Sequence, residues 1–280
     1  MQLGYISNGL THHRLDEALR LLADEGYDCV AISPDVGHLD PYRSSMAERA
    51  SIARLLEQLG LSCVIESGAR YLLDPRRKHR PNLLEAEAEQ RAARLDFLRR
   101  CLELGEELGA QALSFWAGQR PASVAVASAE AHLREGIEAL LVESERRSVP
   151  LAFEPEPGML IETVAQARQL VQQLGDPPQL GLTIDLGHLY VTGEGSPSEV
   201  LPAVIERVRQ IHIEDMRRGV HVHLDPGEGD VDFAEIGHCL RELNYQGPLC
   251  WELSRSAHSA LTSLRKAKLC WDQHLSPANL

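Results

Sequence analysis

The chain has 280 residues, 28 basic and 41 acidic, for a formal charge of −13, with 44% hydrophobic and 25% charged side chains. That composition is ordinary for a soluble globular protein, and the acidic excess argues against electrostatic binding to nucleic acid or an anionic membrane. No apolar run approaches the roughly 20 residues that span a bilayer, the opening MQLGYISNGL lacks the regions of a secretory signal, and six cysteines without a CxxC pair fit a reducing cytoplasm.

Short apolar runs alternate along the chain with longer amphipathic stretches. The strand-like runs are LGYIS (3–7), CVAIS (29–33), SCVIE (62–66), QALSFW (111–116), VPLAFE (149–154), LGLTID (180–185), VRQIHI (208–213) and PLCWEL (248–253). Helical spacing predicts helices over 15–26, 45–60, 83–109, 128–147, 161–174, 198–207, 232–243 and 257–273. Several of these close on glycine just before the next strand, as at Gly60 and Gly109. Eight strand–helix pairs are the count of a (β/α)8 TIM barrel, and no long linker or low-complexity tract divides the chain, so the expected fold is α/β in one domain over 1–280.

An open doubly wound sheet would show the same alternation; side-chain parity separates the two. Leu180, Leu182 and Ile184 share one face of their strand, and Gly181, Thr183 and Asp185 share the other. Leu151 and Phe153 oppose Ala152 and Glu154; Ile211 and Ile213 oppose Gln210 and His212; Leu249, Trp251 and Leu253 oppose Cys250 and Glu252. A small or polar face ending in an ionisable residue suits a closed barrel, with that face toward the axis. An open sheet covered by helices on both sides needs both faces apolar.

Glu154, Asp185, His212 and Glu252 would then meet at the C-terminal mouth, where such barrels keep their sites. Three inward carboxylates and an imidazole repel one another unless a cation joins them. This oxygen-rich donor set suits Mn2+ first, with Mg2+, Co2+ or Zn2+ as alternatives. The plainer alternative makes them solvated loop residues or structural ion pairs, but four on one parity at one strand end favour a shared site. His188, three residues after Asp185, could reach substrate or a second metal; Asp215 and Arg217 follow His212, and His221, His223 and a Gly-Glu-Gly turn follow in turn. Glu66 ends the third strand facing inward, with the basic segment 70–83 behind it as a lid or an anion-binding loop. Trp116 could stack on a sugar face, or simply fill the core.

Taken in order, E-P-E-P-G (154–158), D-L-G-H (185–188), H-I-E-D (212–215), H-L-D-P-G-E-G-D (223–230) and Glu252 resemble the xylose-isomerase-like TIM-barrel superfamily. Sugar isomerases, ketose 3-epimerases, hydroxypyruvate isomerase, inosose dehydratase and endonuclease IV belong to that group. The resemblance implies that Glu154, Asp185, His212 and Glu252 hold one divalent metal, with Glu154 and Glu252 doubling as the acid/base pair. It implies that His188 and Arg217 position a sugar hydroxyl or carbonyl. Glu156, which shares the parity of Glu154 but lies beyond Pro155, is expected to touch substrate, as are Glu66, Trp116 and His223. The implied reaction is isomerisation or epimerisation of a keto-sugar or sugar phosphate through a metal-stabilised cis-enediolate, by a cytoplasmic homo-oligomer. A lyase on the same fold, dehydrating an inosose or cleaving a 3-oxo-glycoside, is the alternative. An endonuclease would need histidines after strands three and four, where Glu66-Ser67-Gly68 and Phe115-Trp116-Ala117 stand instead. A non-catalytic sugar-binding protein would be expected to have lost a ligand, and all four are present.

Overall fold

A computed structural model describes residues 1–277. Eight parallel strands close into a barrel: β1 (Gln2–Ile6), β2 (Cys29–Ile32), β3 (Ser62–Glu66), β4 (Leu113–Trp116), β5 (Leu151–Glu154), β6 (Leu180–Asp185), β7 (Val208–Ile213) and β10 (Pro248–Trp251). Between β7 and β10 an antiparallel hairpin, β8 (Asp215–Arg217) and β9 (Val220–Leu224), is inserted. The expected (β/α)8 architecture is the one observed. Each barrel strand neighbours the next in sequence, and β10 closes the ring against β1, with Gly4 opposite Cys250.

The parity derived from sequence is realised at close quarters. On the axis, Ile6, Cys29, Ala31, Val64, Ala112, Ala152 and Cys250 form a fully buried cluster of mostly small side chains. Space there is scarce: a Cβ on Gly4 would lie 2.5 Å from the Cys250 Sγ. Ser114 and Thr183, on strands that are not neighbours, hydrogen-bond across the interior at 2.8 Å. The opposite faces, including Phe153, Leu182, Ile211 and Trp251, join the large core beneath the helices. Burying this apolar area, at about 25 cal/mol per Å2, is the main force holding the two layers together.

Seven of the helices in order are α1 (Leu15–Asp24), α2 (Met46–Leu59), α3 (Ala88–Leu108), α4 (Val126–Arg147), α5 (Val164–Gln173), α6 (Leu186–Thr192) and α7 (Pro197–Val200); α8 (Phe233–Glu242) and α9 (Ala260–Cys270) follow the hairpin and β10. Ser45 and Thr163 start α2 and α5 with capping boxes, each side-chain oxygen accepting from the backbone three residues on. Gly60 and Gly109 end α2 and α3 at φ of 68° and 66°, a left-handed turn that a Cβ would strain. None of the described helices is long and apolar enough to cross a membrane.

Two segments differ from the sequence expectation. The helix expected over 198–207 is instead α7 followed by short 3-10 turns at Leu201–Ala203 and Ile205–Arg207. Pro202 lacks the N–H that a continuous helix needs there. The regular turn after β6 comes earlier, in α6, which begins on the residue after Asp185. The helix expected from 83 starts only at Ala88, because Asn82 and Glu85 bond to backbone and to Arg80 in the preceding loop.

Candidate active site

Backbone register assembles the mouth. A shift between Leu182 and Thr183 leaves Gln210 opposite Thr183 and His212 opposite Asp185, and on the other side of β7 His212 lies opposite Cys250. Glu252 continues the β10 ladder by donating its N–H to the Ile213 carbonyl at 2.9 Å. Glu154 ends β5 beside Trp116. One ligand atom from each of Glu154, Asp185, His212 and Glu252 lies within 4.8 Å of the others.

His212 is at the centre of this group. Its Nδ1 is 3.0 Å from Glu154 Oε1 and 3.5 Å from Glu252 Oε2, and its Nε2 is 2.7 Å from the Gln210 amide. Asn8 donates to Glu252 Oε1 at 2.9 Å. Asp185 does two tasks: Oδ1 accepts the His188 N–H at 3.0 Å and so caps α6, while buried Oδ2 has no hydrogen-bond partner. The group is crowded electrostatically. Burial raises the Glu154 carboxyl to about 7, against the pull of His212. Burial would also raise Glu252, but His223 and His212 outweigh it and hold that carboxyl well below its usual range. For Asp185 the direction is likewise downward, burial being outweighed chiefly by His188. Burial disfavours charge on His212, yet Glu154 and Glu252 raise it well above 6.5. Without another cation the imidazolium neutralises part of the carboxylate charge.

These donors fit a divalent ion. Three carboxylates and a nitrogen converge, and one of those carboxylate oxygens is buried without a partner. Gln210 Oε1 is also buried and unpartnered; turning that amide lets it accept the His212 Nε2–H and leaves the Nδ1 lone pair for a metal.

Beside the first group stands a second. His188, His221 and His223 place ring nitrogens within 4.8 Å of one another, His188 and His221 Nε2 being 3.2 Å apart. Glu156 is 3.8 Å from both His188 and His221. Glu214 is fully buried beneath, with both carboxyl oxygens lacking hydrogen bonds and its pKa driven well up by burial. Burial and the neighbouring imidazoles push His221 down to about 4. Asp215 ties the base of the hairpin to the segment that follows it: its Oδ2 accepts from Gly227 and Gly229 at 2.8 Å each, and its Oδ1 accepts from Met216 and Val231 at 2.9 and 3.1 Å. A Cβ on Gly229 would collide with that carboxylate.

A cavity of about 1060 Å3 opens over the mouth, and Glu66, Trp116, Glu154, Glu156, His223 and Glu252 all line it. His188 is 4% exposed and lies beneath the hairpin rather than on the cavity wall. Arg217 does not line the cavity: Met216 is buried, so alternation along β8 turns Arg217 outward to solvent at the hairpin end. Sequence reasoning did not single out Asn8, Ser33 or Arg255, which line the cavity just beyond the ends of β1, β2 and β10. Asn8 and Arg255 lie past their apolar runs, where the alternation gives no guide, and Ser33 closes its run as a small polar residue with no ionisable group. Ser33 donates to Glu66 Oε2 at 2.9 Å. It also missed Arg94, fully buried in α3, whose guanidinium stacks 4.4 Å over Trp116 and backs the cavity wall.

A closed parallel barrel whose mouth gathers carboxylates and imidazoles defines a TIM-barrel protein with its site at the strand ends. The chain belongs to the xylose isomerase-like TIM barrel family, whose profile matches residues 19–271. An inosose dehydratase of Clostridium perfringens is 29% identical over 137 residues, 43% of this chain and 46% of that one, so the match spans less than half of that relative. Among solved structures, the 3-keto-D-glucoside 4-epimerase YcjR from E. coli superposes with a TM-score of 0.75 at 18% identity, covering 95% of this chain and 99% of that one. The D-allulose 3-epimerase of Methylomonas sp., in complex with D-allulose, gives 0.78 at 18% identity over 98% and 97%. An IOLI protein with a bound zinc atom gives 0.79 at 17% identity over 97% of each chain.

Proposed function

We propose that the chain is a divalent-metal-dependent isomerase or epimerase of a keto-sugar or sugar phosphate. The observation that carries this reading is the convergence of Glu154, Asp185, His212 and Glu252, of which Glu154 and Glu252 line the cavity. Those four side chains would hold the ion, Mn2+ being the best match to their donor set. When bound, it supplies Lewis acidity, drawing electron density from substrate oxygens and acidifying the adjacent C–H. Glu252, fixed by the Asn8 amide at 2.9 Å, is positioned as one carboxylate of the acid/base pair. Glu154, poised near neutrality, holds or releases one at working pH. Return of the proton to the same carbon from the opposite face gives an epimer; return to the neighbouring carbon gives an aldose–ketose pair. Trp116 offers a flat wall for the sugar, and His223 and Glu156 offer polar contacts beside it. His188 acts from beneath, orienting His221 and Asp185. The epimerase folds named above support this reading, and by family resemblance the protein is expected to work as a cytoplasmic homo-oligomer.

The test is metal analysis of the purified protein, then solvent-deuterium exchange into ketoses and inososes. Chelation should abolish exchange, and Glu154→Gln and Glu252→Gln should each do the same with metal restored; exchange persisting in both variants overturns the mechanism. A second reading, elimination of a β-substituent such as water, has its own support. The curated relative is a dehydratase, and Glu66 is a further cavity carboxyl whose pKa burial raises, keeping a proton available for a leaving hydroxyl. Product mass separates the readings, since isomers conserve mass and dehydration does not.

A further inference from the structure

The cavity wall carries charges of opposite sign at different depths. Glu66, Glu154 and Glu156 are buried or half-buried in it, whereas Lys78 and Arg255 are exposed and Arg70 is half-buried. The segment after β3 sorts its cations by direction. Arg77 pairs with Asp74 at 2.6 Å and Arg80 with Glu85 at 2.6 Å, and neither lines the cavity. Arg70 and Lys78, from the same segment, do line it, and among the described residues neither they nor Arg255 has a carboxylate within ion-pair distance. Among the described residues, the outer wall carries one acid, Asp35, whose Oδ1 accepts the Val36 N–H at 2.8 Å.

Arg70 is also held in place. The backbone is left-handed at Ala69, Arg70 and His79, at φ of 57°, 21° and 62°, a costly conformation for residues with a side chain. His79 locks it, its N–H donating to the Arg70 carbonyl at 2.6 Å and its Nδ1 lying 2.7 Å from the Gly68 carbonyl. One Arg70 nitrogen donates to the Asn8 carbonyl at 3.1 Å, and the Asn8 side chain in turn holds Glu252. The rest of the guanidinium fork is available to a ligand, in the geometry that carboxylates and phosphates accept.

We infer that the substrate carries an anionic group, a carboxylate or a phosphate, which Arg70, Arg255 and Lys78 bind at the outer wall. This rests on the function proposed above and deepens it: with the cations on the outer wall and the metal-binding carboxylates on the inner one, the substrate lies with its ketone inward and its anion outward. Arg70, one residue removed from Glu252 through Asn8, would couple occupancy of the outer wall to the position of the base.

The experiment uses the Mn2+-loaded protein with three matched compounds: a neutral ketohexose, the same ketohexose phosphorylated at C6, and the corresponding ketohexuronate. Deuterium exchange should show kcat/KM at least about tenfold higher for one of the two anionic compounds, and which one separates phosphate from carboxylate. Arg70→Gln should lower that value about ten- to hundredfold and the neutral value less than about threefold. Arg255→Gln, at an exposed residue that anchors nothing, should act in the same direction, and serves where Arg70→Gln misfolds. Equal or better turnover of the neutral compound, or equal loss on all three, overturns the inference. A second readout needs no turnover: inorganic phosphate at constant ionic strength should raise the Tm of the metal-free protein, and both variants should lose that rise. Loss of the phosphate response in the variants with no exchange on any compound would keep the anion site and reject the proposed reaction; a wild-type Tm indifferent to phosphate overturns the anion site itself.

Discussion

Along β5, Ala152 and Glu154 face the same interior two residues apart, and from β10 Cys250 and Glu252 do likewise. The lower layer, with Cys29, Ala31, Val64 and Ala112, is wholly buried, small and apolar. The upper layer is nearly as buried but gathers three carboxylates, an imidazole and several orphaned polar atoms. Along β5 and β10, climbing one pleat changes dry packing into concentrated charge. The difference teaches where stability and chemistry separate. The lower layer seals the cavity floor and fixes the strand ends, so that the costly groups above it need not be stabilised locally.

Substitutions can break that division. Changing Glu154 or Glu252 to Gln should cut deuterium exchange by about a thousandfold or more while leaving the circular dichroism unchanged. The metal-free Tm of Glu154→Gln should hold or rise, because burial disfavours that carboxylate, whereas Glu252→Gln should lower it, because His223 and His212 stabilise the ionised form. Asn8→Ala should lower kcat about tenfold with little change in KM, since it frees one Glu252 oxygen but leaves the ligands in place. In the lower layer, Gly4→Ala should destabilise by about 1–3 kcal/mol through the clash with Cys250, and specific activity at low temperature should survive.

The pH response sharpens the comparison further, because only the upper layer titrates. Glu154 is raised from 4.5 to about 7, so its contribution to stability is full below its unfolded pKa and is lost as pH climbs through about 7. His212, raised above 6.5, acts in the same sense: its contribution is present below 6.5 and lost above its elevated value. His221, pushed down to about 4, works in the opposite sense up to 6.5, so the chelated protein should lose Tm between about pH 6.5 and 8. Mn2+ should oppose that loss, since ligands bind metal only when deprotonated and affinity should rise over the same interval. A pH-independent Tm in the chelated protein would mean that the four groups do not share charge as their distances indicate.

Much of this was legible because a strand has a period of two. Apolar Phe153, Ile184 and Ile211 forced Glu154, Asp185 and His212 to the other face, and closure into a barrel did the rest. Where periodicity failed, so did the reading. In α7 and the turns after it, apolar spacing looked helical, but Pro202 interrupted the hydrogen bonding. α6 was hidden because Asp185 is at once the end of β6 and the cap of the helix, with no loop between them. VHVHL in β9 alternates, yet the strand belongs to a hairpin over the mouth, and neither face announces a core. Arg217 was misplaced for that reason: its distance from His212 in sequence was known, but not the hairpin that turns it away. Asn8 escaped because its role depends on contacts with Glu252 and Arg70 that no local pattern encodes, whereas Arg70 was already legible as part of the basic loop after the third strand.

The carboxylate of Asp215 has a consequence of its own. By gathering four amide hydrogens it folds the excursion between the seventh barrel strand and the helix after it into a stiff finger, and that finger brings His221 and His223 over the opening. Both imidazoles therefore depend on a single knot in an appendage, while the eight staves beneath are built without it. A lineage could re-equip such an entrance by exchanging the finger alone, keeping the cask and its inner ligands as they stand.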